Sequence, residues 1–121
     1  MLWKFDHKTP VFLQIASHMR NEIVAGKYAA DEQIPPVRVL AAQASVNPNT
    51  MQKALTRLEE EGLLYTRGTV GRFVTSDVHV LEAARERMRR DTVRRMLFEA
   101  HEMGISTNDL IQYIQKEDDT Q

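Results

Sequence analysis

The segment from Ile34 to Val74 constrains the fold more than any other part of the chain. It contains a short apolar helical repeat, a Ser-Val turn, a second helical repeat and two strand-like runs joined through glycines. A helix, a tight turn, a second helix and a β-hairpin, in that order, form a winged helix-turn-helix. Because such a module usually places its second helix in a DNA groove, the segment predicts a DNA-binding domain.

End signals define the two helices of this segment. The spacing of apolar residues predicts the first helix over about residues 37–44. Asn47 is a strong N-cap candidate because its side-chain oxygen can accept from the free backbone N–H groups of the next turn, and it is also a candidate DNA-contacting residue. Pro48 fits the first helical position, where no N–H is required. The second helix is therefore expected over about residues 48–61, ending at Gly62.

The second helix has an apolar face and a polar face. Met51, Leu55 and Leu58 share one side and are expected to enter the core. The polar and basic residues on or beside the other side are Asn49, Thr50, Gln52, Lys53, Thr56 and Arg57. Lys53 and Arg57 are either ordinary solvated positions or contacts to phosphate and bases, and such contacts would make DNA affinity depend on salt.

The predicted wing consists of strands at residues 63–66 and 72–75, connected by residues 67–71. A wing of this kind lies along the sugar-phosphate backbone, beside the groove that the second helix, called the recognition helix, occupies. Arg67 and Arg72, at the base of the hairpin, are accordingly expected to contact phosphate.

An amphipathic helix is expected before the motif, over residues 10–25. Thr9 can cap it, Pro10 suits its first position and Gly26 can end it in the left-handed conformation. Residues 27–36 then form a turn-rich connection.

Two further helices are predicted after the wing. A long helix should run from Val78 to about Met103 and end at Gly104. Ser106 can cap the last helix, with Asp109 at its third position. We therefore expect a winged domain over residues 1–76 and a two-helix tail over residues 77–121, which makes the chain mainly α with a small β wing.

The tail is too small to enclose a core of its own. Its apolar stripe therefore needs another surface, most economically the tail of a second copy. The residues expected at this dimer interface are Leu81, Ala84, Met88, Met96, Leu97, Leu110, Ile111 and Ile114.

Composition limits the other classes of function. The chain has no cysteine, its four histidines have no metal-ligand spacing, and no catalytic set is recognisable, so we expect neither a metal, a cofactor nor an enzyme. No run is long and apolar enough for a membrane span, and a cytoplasmic location is expected. The formal net charge is only -1, but residues 1–76 carry nine basic and seven acidic side chains, whereas residues 77–121 carry seven and ten.

Several motifs of this sequence occur together in one known family. They are Pro35-Pro36-Val37-Arg38-Val39-Leu40-Ala41, Val46-Asn47-Pro48-Asn49-Thr50-Met51, Glu61-Gly62-Leu63-Leu64 and Gly71-Arg72-Phe73-Val74. In this order they resemble the GntR family of bacterial transcription regulators, over residues 10–76. The short tail resembles that of the YtrA subfamily, in which it serves as a dimerisation element.

The resemblance implies particular DNA contacts. Arg38 matches an arginine that approaches the DNA backbone and groove edge, and Gln52 matches a common base-reading arginine. The other matched positions lie at the start of the recognition helix and at the wing tip: Asn49, Thr50, Gly68 and Thr69. Two residues depart from many relatives: Pro36 replaces a capping serine and Pro48 replaces an arginine that reads DNA.

These observations predict a homodimeric repressor of a pseudo-palindromic operator, and the resemblance adds control of transporter genes. Any small-molecule effector would have to bind between domains or between subunits, because the tail is short. The alternative, favoured by the near-neutral charge, is a winged-helix module that binds proteins without specific DNA binding.

Overall fold

The computed structural model describes residues 3–120, which form five helices and a two-stranded antiparallel hairpin. In chain order these are α1 Val11–Val24, α2 Val37–Ala44, α3 Pro48–Glu60, β1 Leu64–Arg67, β2 Gly71–Val74, α4 Val78–Glu102 and α5 Thr107–Asp119. None of the helices in this part of the chain is long and apolar enough to span a membrane. The fold is mainly helical with a small wing, as the sequence predicts.

The chain divides into two compact units, one ending at Ala83 and one beginning at Ala84. The first unit thus extends past residue 76 and includes the beginning of α4. One reason is local packing: a Cβ placed on Gly62 would lie 3.7 Å from Cγ1 of Val80 in the first turn of α4. In addition, the Thr75 amide donates to the Leu63 carbonyl at 3.0 Å, which ties the connection before α4 to the wing.

The core of the first unit is the interior of the three-helix motif. α3 contributes its whole apolar face, and α1 and α2 pack against it. The buried side chains at the centre are Ile15, Met19, Leu40, Met51, Ala54, Leu55, Leu58, Leu63 and Val74. The expected core face of α3 is confirmed, and its opposite face is left at the surface.

The helix ends follow the sequence signals, with one exception. Asn47 caps α3 by accepting from the Asn49 amide at 2.7 Å, and Ser106 caps α5 by accepting from the Asp109 amide at 3.1 Å. The prediction that Thr9 caps α1 is wrong. Pro10 occupies the N-cap position and its carbonyl accepts the first helical bonds, while the Thr9 carbonyl accepts from the side chain of Gln14.

The hairpin pairs Leu64 with Val74 and Arg67 with Gly71. The connection before α2 also pairs with β2, which its turn-rich composition did not predict. The Ile34 amide donates to the Arg72 carbonyl at 3.0 Å, and the Val74 amide donates to the Glu32 carbonyl at 2.9 Å. These bonds cover one edge of the wing and anchor it to the helical core.

The second unit contains the remainder of α4 and α5. The Ile105 amide donates to the Ala100 carbonyl at 2.9 Å at the turn between the helices, and His101 Nε2 lies 2.9 Å from the Thr107 hydroxyl. α5 has no buried residue. The second unit therefore has almost no apolar interior in the single chain.

We expect Leu55→Ala to lower the free energy of unfolding by about 2–5 kcal/mol, because Leu55 is fully buried and its truncation leaves a cavity. Val70→Ala, at a position with 64% exposure on the wing, should change it by less than about 0.5 kcal/mol. Urea denaturation at one fixed protein concentration measures both. Equal losses for the two variants would contradict this assignment of the core.

Candidate nucleic-acid interface

The start of α3 projects several polar groups from the surface. Asn49, Gln52, Lys53 and Arg57 are exposed, and Thr50 is half-buried. The cap fixes the first turn, because Asn47 holds the Asn49 amide through its side-chain oxygen. The Thr50 and Met51 amides donate to the Asn47 carbonyl, so the first turn is closed by Asn47 and begins at the surface. The N-terminus of the helix carries the positive end of the helix dipole, which favours phosphate.

The basic residues of α3 are held by neighbouring side chains. Lys53 Nζ lies 4.6 Å from the centroid of the Phe12 ring on α1. Arg57 Nε lies 3.6 Å from Glu61 Oε2, and Glu61 also receives two hydrogen bonds from Arg20, at 2.7 and 2.6 Å. The Lys53 ammonium thus lies at the surface against an uncharged ring, whereas the charge of Arg57 is partly balanced by a carboxylate that it shares with Arg20.

The two arginines at the base of the wing differ in their surroundings. The Arg67 guanidinium is exposed and lies 5.0 Å from the centroid of the Phe73 ring. Arg72 is only 15% exposed and forms an ion pair with Glu59 of α3. Arg67 is thus available to an external anion, while Arg72 already has an anionic partner within the chain.

The Arg72 guanidinium connects the wing to the recognition helix at two points. Its Nε donates to Glu59 Oε1, and its Nη1 donates to Gln52 Oε1 at 3.4 Å. The Thr66 hydroxyl also donates to Glu59 Oε1, at 3.0 Å. Sequence reasoning missed Glu59, although Gln52 and Glu59 are seven residues apart and so fall on nearly the same helical face.

The tip of the wing is shaped by Gly68 and Gly71, with φ of +47° and +140°. At Gly71 a Cβ would come within 2.7 Å of Gln33 Nε2, so a side chain there would displace Gln33. Gln33 Nε2 donates to the Val70 carbonyl at 2.8 Å and holds the tip from the connection before α2. Nothing in the local sequence marks Gln33, because its partner lies in a distant segment.

The other side of the wing is tied to the same connection through Tyr65. Its hydroxyl donates to Asp31 Oδ1 at 2.6 Å, and this hydrogen bond raises the pKa of Tyr65 above its ordinary value. The Tyr65 ring stacks on Phe73 at 5.7 Å between centroids. Together with Gln33, this contact places the wing residues Gly68 and Thr69 at the surface in a defined position.

Arg38 lies in the first turn of α2 and is exposed. Pro36 is at the N-cap of that helix and makes no capping hydrogen bond through a side chain, as expected from the replacement of serine. The amide groups at the start of α2 therefore have no side-chain cap beside Arg38, and this end of the helix favours an anion.

The residues expected at a dimer interface differ in exposure. Met96, Ile111 and Ile114 are 40%, 59% and 45% exposed, which leaves their side chains available to a partner. Leu81, Met88, Leu97 and Leu110 are half-buried. Ala84 is 7% exposed, so the single chain already covers most of its surface.

Among residues 3–120, no group of three or more histidine and acidic side chains is arranged to hold a metal ion. The polar groups described above instead form a surface of hydrogen-bond donors and cations on α2, α3 and the wing. This is the chemistry that proteins use to contact phosphates and base edges.

The sequence pattern of the bacterial regulatory proteins of the gntR family matches residues 12–74, which hold the three helices and the wing. The chain belongs to this family. The HTH-type transcriptional repressor YtrA of Bacillus subtilis is 28% identical over 109 residues, covering 89% of this chain and 84% of YtrA. The relatives of this chain are regulators of transcription, and its gntR domain is a DNA-binding helix-turn-helix.

Two solved structures extend the comparison. A GntR family transcriptional regulator from Listeria monocytogenes matches with a TM-score of 0.84 and 31% identity, covering 93% of this chain and 98% of that one. The likeness therefore includes the helical tail. The DNA-binding domain of AraR, solved in complex with operator ORX1, matches with a TM-score of 0.56 and 30% identity over 60% of this chain and 93% of that one.

Replacing Asn47 tests its role as the cap of α3. Asn47→Ala should lower the free energy of unfolding by about 1 kcal/mol, because the Asn49 amide loses its acceptor. Asn47→Asp retains an acceptor and should preserve stability. Thermal melting compares the two, and an unchanged melting temperature for Asn47→Ala would mean that the cap contributes nothing to the fold.

Proposed function

We propose that this gntR-family protein is a repressor that binds a pseudo-palindromic operator as a homodimer. Each recognition helix, α3, would enter a major groove, and the two half-sites would be about one helical turn apart, roughly 10 bp centre to centre. The observation that carries the proposal is the exposed polar face of α3, with Asn49, Gln52 and Lys53, on a helix whose opposite face is fully buried.

The proposed contacts follow from exposure and chemistry. Asn49, Thr50 and Gln52 would contact base edges, and the cationic groups of Arg38, Lys53 and Arg67 would contact phosphate. Gly68 and Thr69 at the wing tip would approach the minor groove. Asn47 acts as a cap that fixes the first turn of α3. Arg57 would add positive charge beside this face, although Glu61 partly balances it. We leave Arg72 out of the phosphate contacts, since Glu59 already balances its charge.

The homodimer is proposed from the second unit. α5 buries none of its residues in the single chain, although it is amphipathic. The large apolar side chains exposed on α4, on α5 and in the turn between them include Val93, Met96, Phe98, Met103, Ile111, Tyr113 and Ile114. Large exposed apolar side chains gathered on two short helical segments favour an interaction site. A second copy of the same tail is its simplest partner, because it offers the same apolar surface in a symmetric arrangement.

Regulation would act through the dimer. Anything that changes the angle between the two winged units would change their match to the half-site spacing, and a small-molecule effector would bind between subunits to do so. The similarity to the YtrA branch supports transporter genes as the regulated targets. Selection of bound sequences from a random DNA pool would identify the operator and allow its genomic neighbours to be tested.

Arg38→Ala and Asn49→Ala should each weaken operator binding about fivefold or more while leaving the melting temperature unchanged, because both side chains are exposed. The loss for Arg38→Ala should come with a salt slope reduced by about 1, as expected for one phosphate contact. Gel-shift titrations over a series of salt concentrations measure both quantities.

Arg90→Ala is the matched control for charge, since the Arg90 guanidinium pairs with Glu86 within α4. It should leave affinity and salt slope unchanged. If the unmodified protein does not bind duplex DNA of any sequence at low ionic strength, the regulator proposal fails and the protein-binding alternative takes its place.

The double variant Ile111→Asp, Ile114→Asp should convert the dimer to monomers, because it places two carboxylates on the apolar surface that the partner would cover. Gln112→Asp, at an exposed polar position of the same helix, is the control for added charge. Analytical ultracentrifugation gives the mass, and circular dichroism verifies the helix content. A fully dimeric double variant would refute this use of the tail.

A further inference from the structure

Arg72 holds the side chain of Gln52 from the wing. Arg72 pairs with Thr66 in the hairpin register and extends its guanidinium to α3, where Nε meets Glu59 and Nη1 donates to Gln52 Oε1 at 3.4 Å. Arg72 is only 15% exposed, and Thr66 holds the same Glu59 oxygen at 3.0 Å. Both partners of the guanidinium therefore lie on α3, and Thr66 of β1 also bonds to one of them, Glu59.

The contact determines which end of the Gln52 amide points away from the wing. A glutamine side chain has an oxygen that accepts and an NH2 group that donates two hydrogen bonds. With Oε1 directed to Arg72, Nε2 forms the opposite end of the amide. An unrestrained glutamine recognises adenine with both ends at once, since Oε1 accepts from N6 while Nε2 donates to N7.

Arg72 opposes that adenine pairing in two ways. It occupies one lone pair of Oε1, and its positive charge lies beside the oxygen that would have to receive the adenine N6 amino group. Guanine, in contrast, presents two neighbouring acceptors, N7 and O6, to the major groove. Both can accept from the Nε2 group, so the arrangement matches guanine better than adenine.

We propose that Arg72 is a positioning residue that makes Gln52 a donor toward the DNA and so directs its base preference to guanine over adenine. The inference depends on the proposed function, because it requires α3 to lie in the major groove. Arg72 itself would contact no base. Its effect would pass through the orientation of one amide group.

The experiment compares sequences selected from one random DNA pool by the full-length protein and its variants. Gln52→Ala identifies the base pair that Gln52 reads, as the position whose preference disappears. At this position the unmodified protein should prefer guanine over adenine. Arg72→Met should release the amide and shift the ratio of guanine to adenine toward adenine by about fivefold or more, because a free glutamine gains its bidentate pairing.

Two further variants control for charge. Arg72→Met leaves Glu59 without its cation, so the combination of Arg72→Met with Glu59→Gln removes the whole ion pair and should show the same shift. Arg67→Met removes an exposed wing cation that stacks on Phe73 and does not contact Gln52. It should weaken binding to all selected sequences evenly and leave the preference at the Gln52 position unchanged.

Each outcome decides the inference. A preference for adenine in the unmodified protein overturns it, even if no Arg72 variant folds. An unchanged preference in both Arg72 variants, with normal melting temperatures, also overturns it. If Gln52→Ala alters no position while DNA binding persists, Gln52 is not a reader and the inference fails while the regulator proposal stands. If the unmodified protein binds no DNA, the proposed function itself fails first.

Discussion

The burial of one face of α3 is the constraint on which the rest of the structure depends. Met51, Ala54, Leu55 and Leu58 are all fully buried, and α3 packs against α1 and α2. Because an α-helix has 3.6 residues per turn, burying these positions fixes the direction of every other side chain on the helix. Asn49, Gln52 and Lys53 are thereby held at the surface. The hydrophobic core of this small unit and the face proposed to contact DNA are two sides of the same helix.

The wing depends on that helix through polar contacts. Arg72 and Thr66 both meet Glu59, and the connection before α2 holds the other edge through Gln33 and Tyr65. These groups are partly exposed, and each contact alone contributes modest stability. Together they set the position of the wing relative to the recognition helix. A two-stranded hairpin is only marginally stable in isolation, so its place in the fold must come from such contacts.

The second unit presents the opposite situation, with helices that have strong local signals and no interior. The Ser106 cap and the glycine at 104 form as the sequence indicates, with Gly104 at a φ of +79°. Nevertheless α5 buries no residue within the chain. Its apolar side chains gain free energy only when another surface covers them. This is the physical reason for proposing that a partner covers the tail and that the protein binds DNA as a homodimer.

The sequence by itself determined the elements, their order, the core face of α3 and the caps at Asn47 and Ser106, because all of these depend on residues within a few positions of one another. The cap of α1 was predicted wrongly from the sequence. Pro10, not Thr9, occupies the N-cap position, and the Gln14 side chain donates to the Thr9 carbonyl. Tertiary structure alone decided that the connection before α2 pairs with β2, that Gln33 holds the wing tip, and that Arg72 faces Glu59 and Gln52 and not solvent. In these contacts Arg72 and Glu59 are 13 positions apart in the sequence, and Gln33 and Val70 are 37 apart. No local pattern encodes them, because they exist only after the helical core has brought the segments together.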